Sequence, residues 1–452
     1  MRRVWWALLL VAGCDPGQPA PVHPDAAIPA GDPSDPLSMP VLPQFSSAAF
    51  HPAESCAACH PGHVEQWKSS THAYAMRDPL FRALVAVRSQ DFQGARDTFC
   101  TQCHSAIAAR ATETKPGFRF EELSSMALEG VTCEACHKIS EVRRVYNAGH
   151  TLDPSGPVVA TIADPQPTSA HASASSPLFG ESKLCGSCHN VIEFTGVPLE
   201  RPYDEWLASP AGLEDQPCQS CHMKARTGTA ASMGPVREVH DHRFVGVDLP
   251  LEDGALSPPA QAALRQAIAE LLRDQAELSL SVPARSPRGA QLDVVVTVRN
   301  KIEAHSFPTG STFHRQFWLE LTATDADGKA IYRTGDLDAA GDLRDHWSGL
   351  DPYGDHDLIR FGSRFIDARG APTLFPWRAA EHLSTSIPAG YARTQTLFVG
   401  TSSAAQGPLR ISARLRFRSV PPFLLRALAL AEEAERLEIF EVATSSVVVV
   451  LE

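Results

Sequence analysis

The chain has 452 residues, of which 43% are hydrophobic and 20% are charged. This composition is typical of a folded protein, and the length exceeds the roughly 300 residues at which a single core stops growing. We therefore expect at least two domains. The formal net charge is −12 and no stripe of Lys and Arg is found, which excludes a nucleic-acid-binding protein that relies on clustered positive charge. No apolar run is long enough to predict a membrane-spanning helix.

The first 13 residues have the features of an export signal. Arg2 and Arg3 form a charged start, and an apolar stretch follows them. The sequence Leu-Val-Ala-Gly-Cys ending at Cys14 resembles a bacterial lipobox, in which the chain is cut before a cysteine that carries lipid on its thiol. Residues 1–13 are therefore predicted to be a lipoprotein signal peptide, and Cys14 the anchor to a membrane surface. An ordinary signal peptide with an incidental cysteine is the alternative. Residues 14–52 are rich in proline and are predicted to be an extended tether.

Ten of the eleven cysteines fall in five copies of the pattern Cys-x-x-Cys-His, whereas about 0.01 copies are expected by chance at this composition. In this pattern two thiols bond to the two vinyl groups of one haem, and the histidine binds the iron. Zinc sites would not require a histidine after every second cysteine, and five disulfides across such short spacings would be strained. The pattern predicts five covalently bound haem c groups. The predicted attachment residues are Cys56, Cys59, Cys100, Cys103, Cys133, Cys136, Cys185, Cys188, Cys218 and Cys221. The predicted proximal iron ligands are His60, His104, His137, His189 and His222.

The five motifs are crowded between residues 56 and 222. This segment is too short to enclose each haem separately in protein, so we expect the haems themselves to form the core and to exchange electrons. The prediction is a multihaem domain over residues 53–250, built from short helices and loops.

An iron that only transfers electrons usually has a second axial ligand, and thirteen of the 18 histidines lie outside the motifs. The candidate distal ligands are His72, His150, His171, His240, His242 and His305. Of the neighbouring pair His240 and His242, we expect one to bind, and the choice between them is open. Weaker alternatives are His51, His63 and the thioethers of Met76 and Met223. For each candidate, the competing interpretation is a histidine at the surface or satisfied within the core.

Several of these segments resemble one known family. Trp67, Ser70 and His72 follow the first motif, Gly130-Val131-Thr132 precedes the third, and Tyr203-Asp204-Glu205-Trp206 precedes the fifth. Together they are similar to the cytochrome c-554 and hydroxylamine-oxidoreductase-like multihaem family over about residues 51 to 250. The resemblance implies closely stacked haems, most with two histidine ligands. It covers both electron carriers and enzymes that convert nitrogen or sulfur compounds at an open haem. The best-known members have four or eight motifs, and this chain has five.

The remaining sequence predicts a different architecture. A helical pattern begins at Ser257 and continues to about Val282, so residues 251–284 are predicted to be a linking helix. Alternating apolar residues beyond 285 predict strands, and we expect residues 285–452 to form an immunoglobulin-like β-sandwich with a helix inserted from about Phe423 to Leu437. The predicted fold class is a multidomain α+β protein.

His305 lies in the sequence His-Ser-Phe-Pro-Thr-Gly between two predicted strands. It resembles a His-x-x-Pro-Thr-Gly loop of related multihaem cytochromes, and Pro308 and Gly310 favour a rigid turn. The prediction is that the β-domain supplies an iron ligand to the haem domain. A histidine that only caps a loop by hydrogen bonding is the alternative.

From these observations we expect a membrane-anchored pentahaem cytochrome c on the periplasmic side of the inner or outer membrane. It would transfer electrons between redox partner proteins, and no residue is assigned a catalytic role. The alternative is a multihaem oxidoreductase that acts on a small nitrogen or sulfur compound at one five-coordinate haem.

Overall fold

The computed structural model describes residues 44–166, 168–273, 275–403 and 405–452. The predicted signal peptide, Cys14 and most of the predicted tether lie outside the described residues. The last part of that tether is folded, because Phe50 is buried and the backbone N–H of Gln44 donates to the Arg110 carbonyl at 2.9 Å. The folded part therefore begins before the predicted boundary at residue 53, since Phe50 contributes an apolar side chain to the core.

The N-terminal region, residues 44–250, is built from short helices, as predicted. The helices are α1 (Ala53–Cys56), α2 (Pro61–Lys68), α3 (Thr71–Tyr74), α4 (Pro79–Phe92), α5 (Thr98–His104), α6 (Ala106–Arg110), α7 (Ser125–Leu128), α8 (Cys133–His137), α9 (Ser182–Gly186), α10 (Pro202–Leu207), α11 (Pro210–Leu213) and α12 (Cys218–His222). The longest of these, α4, starts where the Asp78 carboxylate accepts from the backbone N–H of Leu80 at 2.7 Å. It ends at Gln93, which has a left-handed φ of 52°.

Short strands in this region pair two by two. They are β1 (Ile139–Val142), β2 (His150–Leu152), β3 (Val158–Ala160), β4 (Ser173–Ser175), β5 (Val191–Ile192), β6 (Pro198–Glu200), β7 (Ala225–Thr229) and β8 (Val236–His240). The apolar clusters among its described residues are small. One cluster of buried side chains consists of Phe50, Ala106, Ile107, Met126, Ala135, Ile139, Leu152 and Leu178. A core of this size is small for a region of this length, which fits the expectation that prosthetic groups fill the interior.

The C-terminal region, residues 251–452, is rich in strands. Its elements are α13 (Pro258–Leu272), β9 (Ala276–Ser281), β10 (Arg285–Ser286), β11 (Gln291–Asn300), β12 (Gln316–Thr324), β13 (Ala330–Thr334), β14 (Arg360–Phe361), β15 (Ser363–Asp367), β16 (Pro372–Thr373), β17 (Ala379–Ser384), β18 (Ala392–Gly400), β19 (Leu409–Arg418), α14 (Pro422–Ala427), α15 (Ala431–Glu435) and β20 (Phe440–Leu451). One sheet has the order β10-β20-β19-β12-β13, with β14 paired to β12. A second sheet has the order β18-β11-β9, and a third has the order β16-β15-β17.

The first two sheets share one apolar core. Val294 and Val296 of β11 belong to the same buried cluster as Leu319 of β12 and Leu415 of β19. The alternation predicted for the strand around Leu415 is observed, because its apolar residues are buried and Arg410 and Arg414 are exposed. Helix α13 packs onto this core as well, through Leu264, Ile268 and Leu272. The immunoglobulin-like topology stays a prediction.

Two predicted helices are wrong in their extent. The helix from Ser257 ends at Leu272 instead of Val282, because Ala276–Ser281 alternates in burial and pairs with β11 as strand β9. The helix predicted over residues 423–437 is divided into α14 and α15. Ala429, between them, has a left-handed φ of 61°, which a continuous right-handed helix does not allow.

The two regions are joined by polar and apolar contacts. The Asp91 carboxylate on α4 accepts from Trp377 Nε1 at 2.6 Å and from the Arg378 guanidinium at 2.7 Å. Asp248 forms an ion pair with Arg315, with N–O distances of 2.6 and 2.8 Å. Apolar residues from both regions also form one cluster, which contains Leu80, Leu251, Val420, Leu424 and Leu425. None of the described helices has the length and hydropathy needed to cross a bilayer.

Candidate functional site

Each of the five Cys-x-x-Cys-His motifs forms one helical turn. Helices α5, α8 and α12 contain complete motifs, and the remaining two turn in the same way. The backbone N–H of His60 donates to the Cys56 carbonyl at 2.8 Å, and His189 donates to Cys185 at 2.8 Å. Side chains at positions i, i+3 and i+4 share one face of a helix. Both thiols and the imidazole of a motif are therefore presented on the same side, as attachment to one haem requires.

Hydrogen bonds orient several of the predicted proximal imidazoles. Nδ1 of His60 lies 2.6 Å from the Ala230 carbonyl, and Nδ1 of His137 lies 2.7 Å from that of Val159. Because a carbonyl oxygen only accepts, the proton is on Nδ1, and the lone pair of Nε2 is left to bind a metal.

Four of the five proximal histidines face a second imidazole. The ring-centroid separations are 6.3 Å for His60 and His171, 6.1 Å for His189 and His72, 6.1 Å for His137 and His242, and 6.4 Å for His222 and His305. An imidazole nitrogen binds a first-row metal at about 2.0–2.1 Å and lies about 1.1 Å from its ring centre, so two rings on opposite sides of one iron have centres about 6.2–6.4 Å apart. The observed pairs therefore fit an iron held between two histidines.

Three of the opposing imidazoles, those of His242, His72 and His305, are held neutral by burial. Burial lowers the pKa of His242 to about 3 and the pKa of His72 and of His305 to about 4. Nδ1 of His242 donates to the His240 carbonyl at 2.9 Å, and Nδ1 of His305 donates to the Ser306 carbonyl at 3.0 Å. Metal binding requires a neutral imidazole with a free nitrogen, and His242 and His305 meet both conditions.

The structure distinguishes between the neighbouring candidates His240 and His242. His242 is the one whose ring faces His137. His240 instead directs Nδ1 to the Met223 carbonyl at 2.9 Å, beside the fifth motif. The sequence alone could not decide this, because β8 ends at His240 and the direction of His242 beyond the strand depends on the tertiary fold.

A third ring near His60 belongs to His63, with centroids 6.4 Å apart. This distance does not indicate a shared iron. Residues three apart on a helix have Cβ atoms only about 5–6 Å apart, whereas two histidines that face each other across an iron have Cβ atoms farther apart than their ring centres. His63 instead packs its ring edgewise against His242, at 4.7 Å. His171 is thus the better partner for His60.

Residues 55–138 match the family model described as cytochrome c554 and c-prime, and this segment contains three of the five motifs. The chain is a multihaem c-type cytochrome. It therefore binds haem c covalently, and proteins of this class are typically exported to the periplasm.

The fold of this cytochrome is also found among solved structures. It is similar to the crystal structure of a penta-heme cytochrome c552 from Thermochromatium tepidum, with a TM-score of 0.61 and 20% sequence identity. The similarity covers 89% of this chain and 99% of the other, so it includes the C-terminal region. No curated protein sequence matches the chain.

The second motif of the cytochrome differs from the other four. The ring stacked on His104 belongs to Phe81, with centroids 4.0 Å apart and planes inclined by 12°. Nδ1 of His104 lies 3.3 Å from the Ala75 carbonyl, so this imidazole is oriented in the same way as His60 and His137. Phe81 was not singled out in the sequence, because only the tertiary fold brings α4 against α5.

His150, a predicted distal ligand, is not paired with any proximal ring in the described part of the chain. It is buried, with Nδ1 3.1 Å from Ser187 Oγ and 3.8 Å from Cys188 Sγ. Its Nε2 is buried without a hydrogen-bond partner among the described residues. Cys103 Sγ lies 3.9 Å from the Cys188 carbonyl oxygen, so His150 lies where the second and fourth motifs meet.

Attachment cysteines of different motifs lie against each other. Three pairs of thiols are close enough for each to shift the pKa of the other: Cys56 and Cys133, Cys103 and Cys188, and Cys185 and Cys218. The first motif is thus adjacent to the third, the second to the fourth, and the fourth to the fifth. Motif spacing alone does not predict this order, because it depends on how the chain folds back.

A buried ion pair lies beside the second motif. The Arg88 guanidinium donates to both oxygens of Glu193 at 2.8 and 3.2 Å, and both side chains are 1% exposed. Arg88 is close enough to Cys100 to lower the pKa of its thiol, although burial has the larger effect and raises that pKa to about 11. No sequence pattern marked this pair, since residues 88 and 193 are far apart in the chain.

Proposed function

We propose that the cytochrome binds five haems and transfers electrons between exported redox partners. The observation that carries this proposal is the set of four facing imidazole pairs at iron-spanning distance. Each haem, when bound, supplies a one-electron redox centre. An iron held by two histidines would have no position left for a substrate, and such a site would favour electron transfer.

The ligand assignment follows from the pairs. His60 and His171 would hold the iron of the first motif, and His137 and His242 that of the third. His189 and His72 would hold the iron of the fourth motif. His222 and His305 would hold that of the fifth, so that the β-rich region would complete a haem site. The number five is supported by the five motifs and by the similar fold of a protein described as a penta-heme cytochrome.

The contacts between attachment cysteines support electron exchange along the protein. Haems attached to neighbouring thiols would themselves be neighbours, because each thioether would be bonded directly to the porphyrin edge. The fourth motif lies close to both the second and the fifth. We infer that the haem of the fourth motif would link those of the second and the fifth.

We further propose that lipid on Cys14 holds the cytochrome at a membrane surface. The partners would be redox proteins with a basic docking face, because the chain carries a net charge of −12. Association with such a partner becomes slower as salt is added, since salt screens the attraction between exposed charges.

Protein-film voltammetry of the full chain tests the function. Reversible signals from five one-electron centres, without catalytic current when nitrite, hydroxylamine or sulfite is added, are the expected result. A catalytic current with any of these compounds would contradict a pure electron carrier.

One observation favours a second function at the second motif. Among the described residues no imidazole ring lies at iron-spanning distance from His104, which suits an iron with an open position for a small nitrogen or sulfur compound. The Phe81 ring, stacked on His104 at 4.0 Å, lies beside the imidazole and not across the iron. Cyanide or nitrite added to the oxidised protein would then change the spectrum of one haem in five. If the spectrum stays unchanged and His150→Ala creates a high-spin haem, His150 is the missing ligand and this second function is wrong.

A further inference from the structure

The loop that carries His305 is held from within the β-rich region. The side-chain amide of Asn300, at the end of β11, donates to the His305 carbonyl at 2.9 Å and to the Ile387 carbonyl at 2.9 Å. Asn300 is buried, so this hold is protected from water. It fixes the loop relative to its own sheet, but it does not fix it relative to His222 on the other region.

The opposite side of the loop is held by one carboxylate of the N-terminal region. Glu205 on α10 accepts from the backbone N–H of Ser306 at 3.1 Å and from Thr309 Oγ at 2.5 Å, both with the same oxygen. Ser306 directly follows His305 in the chain. Hydrogen bonds to a carboxylate are shorter and stronger than those between neutral groups, so this contact restrains the residue next to the imidazole.

Two further contacts surround the same loop. The backbone N–H of Ala211 donates to the Glu303 carbonyl at 3.1 Å, and Ser311 Oγ donates to Glu200 at 2.8 Å. The N-terminal region thus contacts the loop on both sides of His305. The contacts are at Glu303 before it and at Ser306, Thr309 and Ser311 after it. Glu205 makes the contacts nearest to it.

We propose that Glu205 is a positioning residue for His305, and that it holds the imidazole at binding distance from the iron of the fifth motif. The inference rests on the proposed function, in which His305 is that ligand. An iron–nitrogen bond of about 2 Å does not tolerate a displaced loop. Glu205 of the N-terminal region is hydrogen-bonded to Ser306, which follows His305 in the β-rich region. Packing of the two regions against each other is thereby linked to iron coordination by His305. Glu205 belongs to the segment Tyr-Asp-Glu-Trp before the fifth motif, and its role there would be to hold the His305 loop.

The test compares Glu205→Ala with His305→Ala and with Asp91→Ala in the full-length holoprotein. Asp91 is the matched control, because it also accepts hydrogen bonds across the same interface, from Trp377 and Arg378, but away from the loop. Electron paramagnetic resonance measures high-spin iron, and mass spectrometry under denaturing conditions verifies that all haems are attached. In His305→Ala we expect one haem in five to become high-spin. In Glu205→Ala the same haem should be high-spin in a substantial fraction of the molecules, and in Asp91→Ala the spin state should not change.

The outcomes separate the two levels of the proposal. If His305→Ala creates high-spin haem and Glu205→Ala does not, the positioning role is wrong and the ligand assignment stands. If His305→Ala changes nothing, the ligand assignment itself is wrong. Equal effects of Glu205→Ala and Asp91→Ala would show general domain docking and overturn the specific role.

A milder variant covers the case in which Glu205→Ala does not fold. Thr309→Val removes one donor to Glu205 and keeps the shape of the side chain, while the Ser306 hydrogen bond remains. We expect a smaller high-spin fraction than in His305→Ala, at the same haem. Glu205→Gln keeps the shape and an acceptor oxygen, and it should restore most of the low-spin signal lost in Glu205→Ala. Wild-type spectra for Thr309→Val, or no recovery in Glu205→Gln, would contradict the positioning role.

Discussion

The imidazole of His305 lies opposite that of His222, with ring centroids 6.4 Å apart, although the two residues belong to different regions of the chain. His222 ends a helix of the haem-binding region, and His305 lies in a loop between two strands of the β-rich region. This pair therefore brings an imidazole of the β-rich region opposite a motif histidine of the N-terminal region. The predictions below follow from the haem sites and from the contacts that support them.

The number of haems is the first prediction. We expect five haems per chain to remain attached under denaturing conditions, because thioether bonds do not depend on the fold. Cys133→Ser removes one thioether of the third haem and leaves its other link through Cys136. In this variant, mass spectrometry should show a fraction of chains that carry four haems instead of five. Fewer than five haems on mature wild-type protein would contradict the prediction.

The third motif offers a matched pair of histidines for a test. His242→Ala should convert one low-spin haem to high-spin, because His242 faces His137, whereas His240→Ala should leave the spin state unchanged. Magnetic circular dichroism in the near infrared counts haems with two histidine ligands. The reverse result, with the effect in His240→Ala, would mean that the ligand of the third iron is His240.

The buried ion pair beside the second motif provides a stability prediction. Glu193→Gln leaves the Arg88 charge uncompensated in the interior, and we expect it to lower the free energy of unfolding by about 3–5 kcal/mol. The reduction potential of the nearby haem should rise, since an unbalanced positive charge favours the reduced iron. The double variant Arg88→Met with Glu193→Leu is the control, and it should recover much of the stability in denaturant titrations. An equal loss in both variants would argue against a charge effect.

Membrane anchoring is tested by Cys14→Ser. The variant should move from the membrane fraction to the soluble exported fraction with its haem content unchanged, because lipid attachment at the lipobox requires that thiol. Fractionation in high salt separates lipid anchoring from electrostatic adhesion. A variant that stays with the membrane under these conditions would leave the lipobox prediction without support.

The features that could be predicted from the sequence are those that are complete within a few consecutive residues. The Cys-x-x-Cys-His motifs are complete within one helical turn, so haem attachment and the proximal ligands follow from five consecutive residues. The strand around Leu415 was equally clear, because burial alternates along it. The helix after Ser257 was predicted too long, since Ala276 and Leu278 fit either pattern until strand pairing with β11 is known.

Features that depend on tertiary structure could not be read from the sequence. The partner of each proximal histidine, the choice of His242 over His240 and the Phe81 ring on His104 all join residues that are distant in the chain. The same holds for Glu205, which lay in a recognised motif but had no assigned partner until the His305 loop was placed against it.

The most direct test of the account is Mössbauer spectroscopy of the isotopically enriched protein, which counts every iron and reports its spin state. Five irons per chain are expected, of which at least four are low-spin and six-coordinate, because four proximal histidines face a second imidazole. Fewer than four low-spin irons in fully matured protein, or zinc in place of iron, would contradict a pentahaem electron-transfer protein.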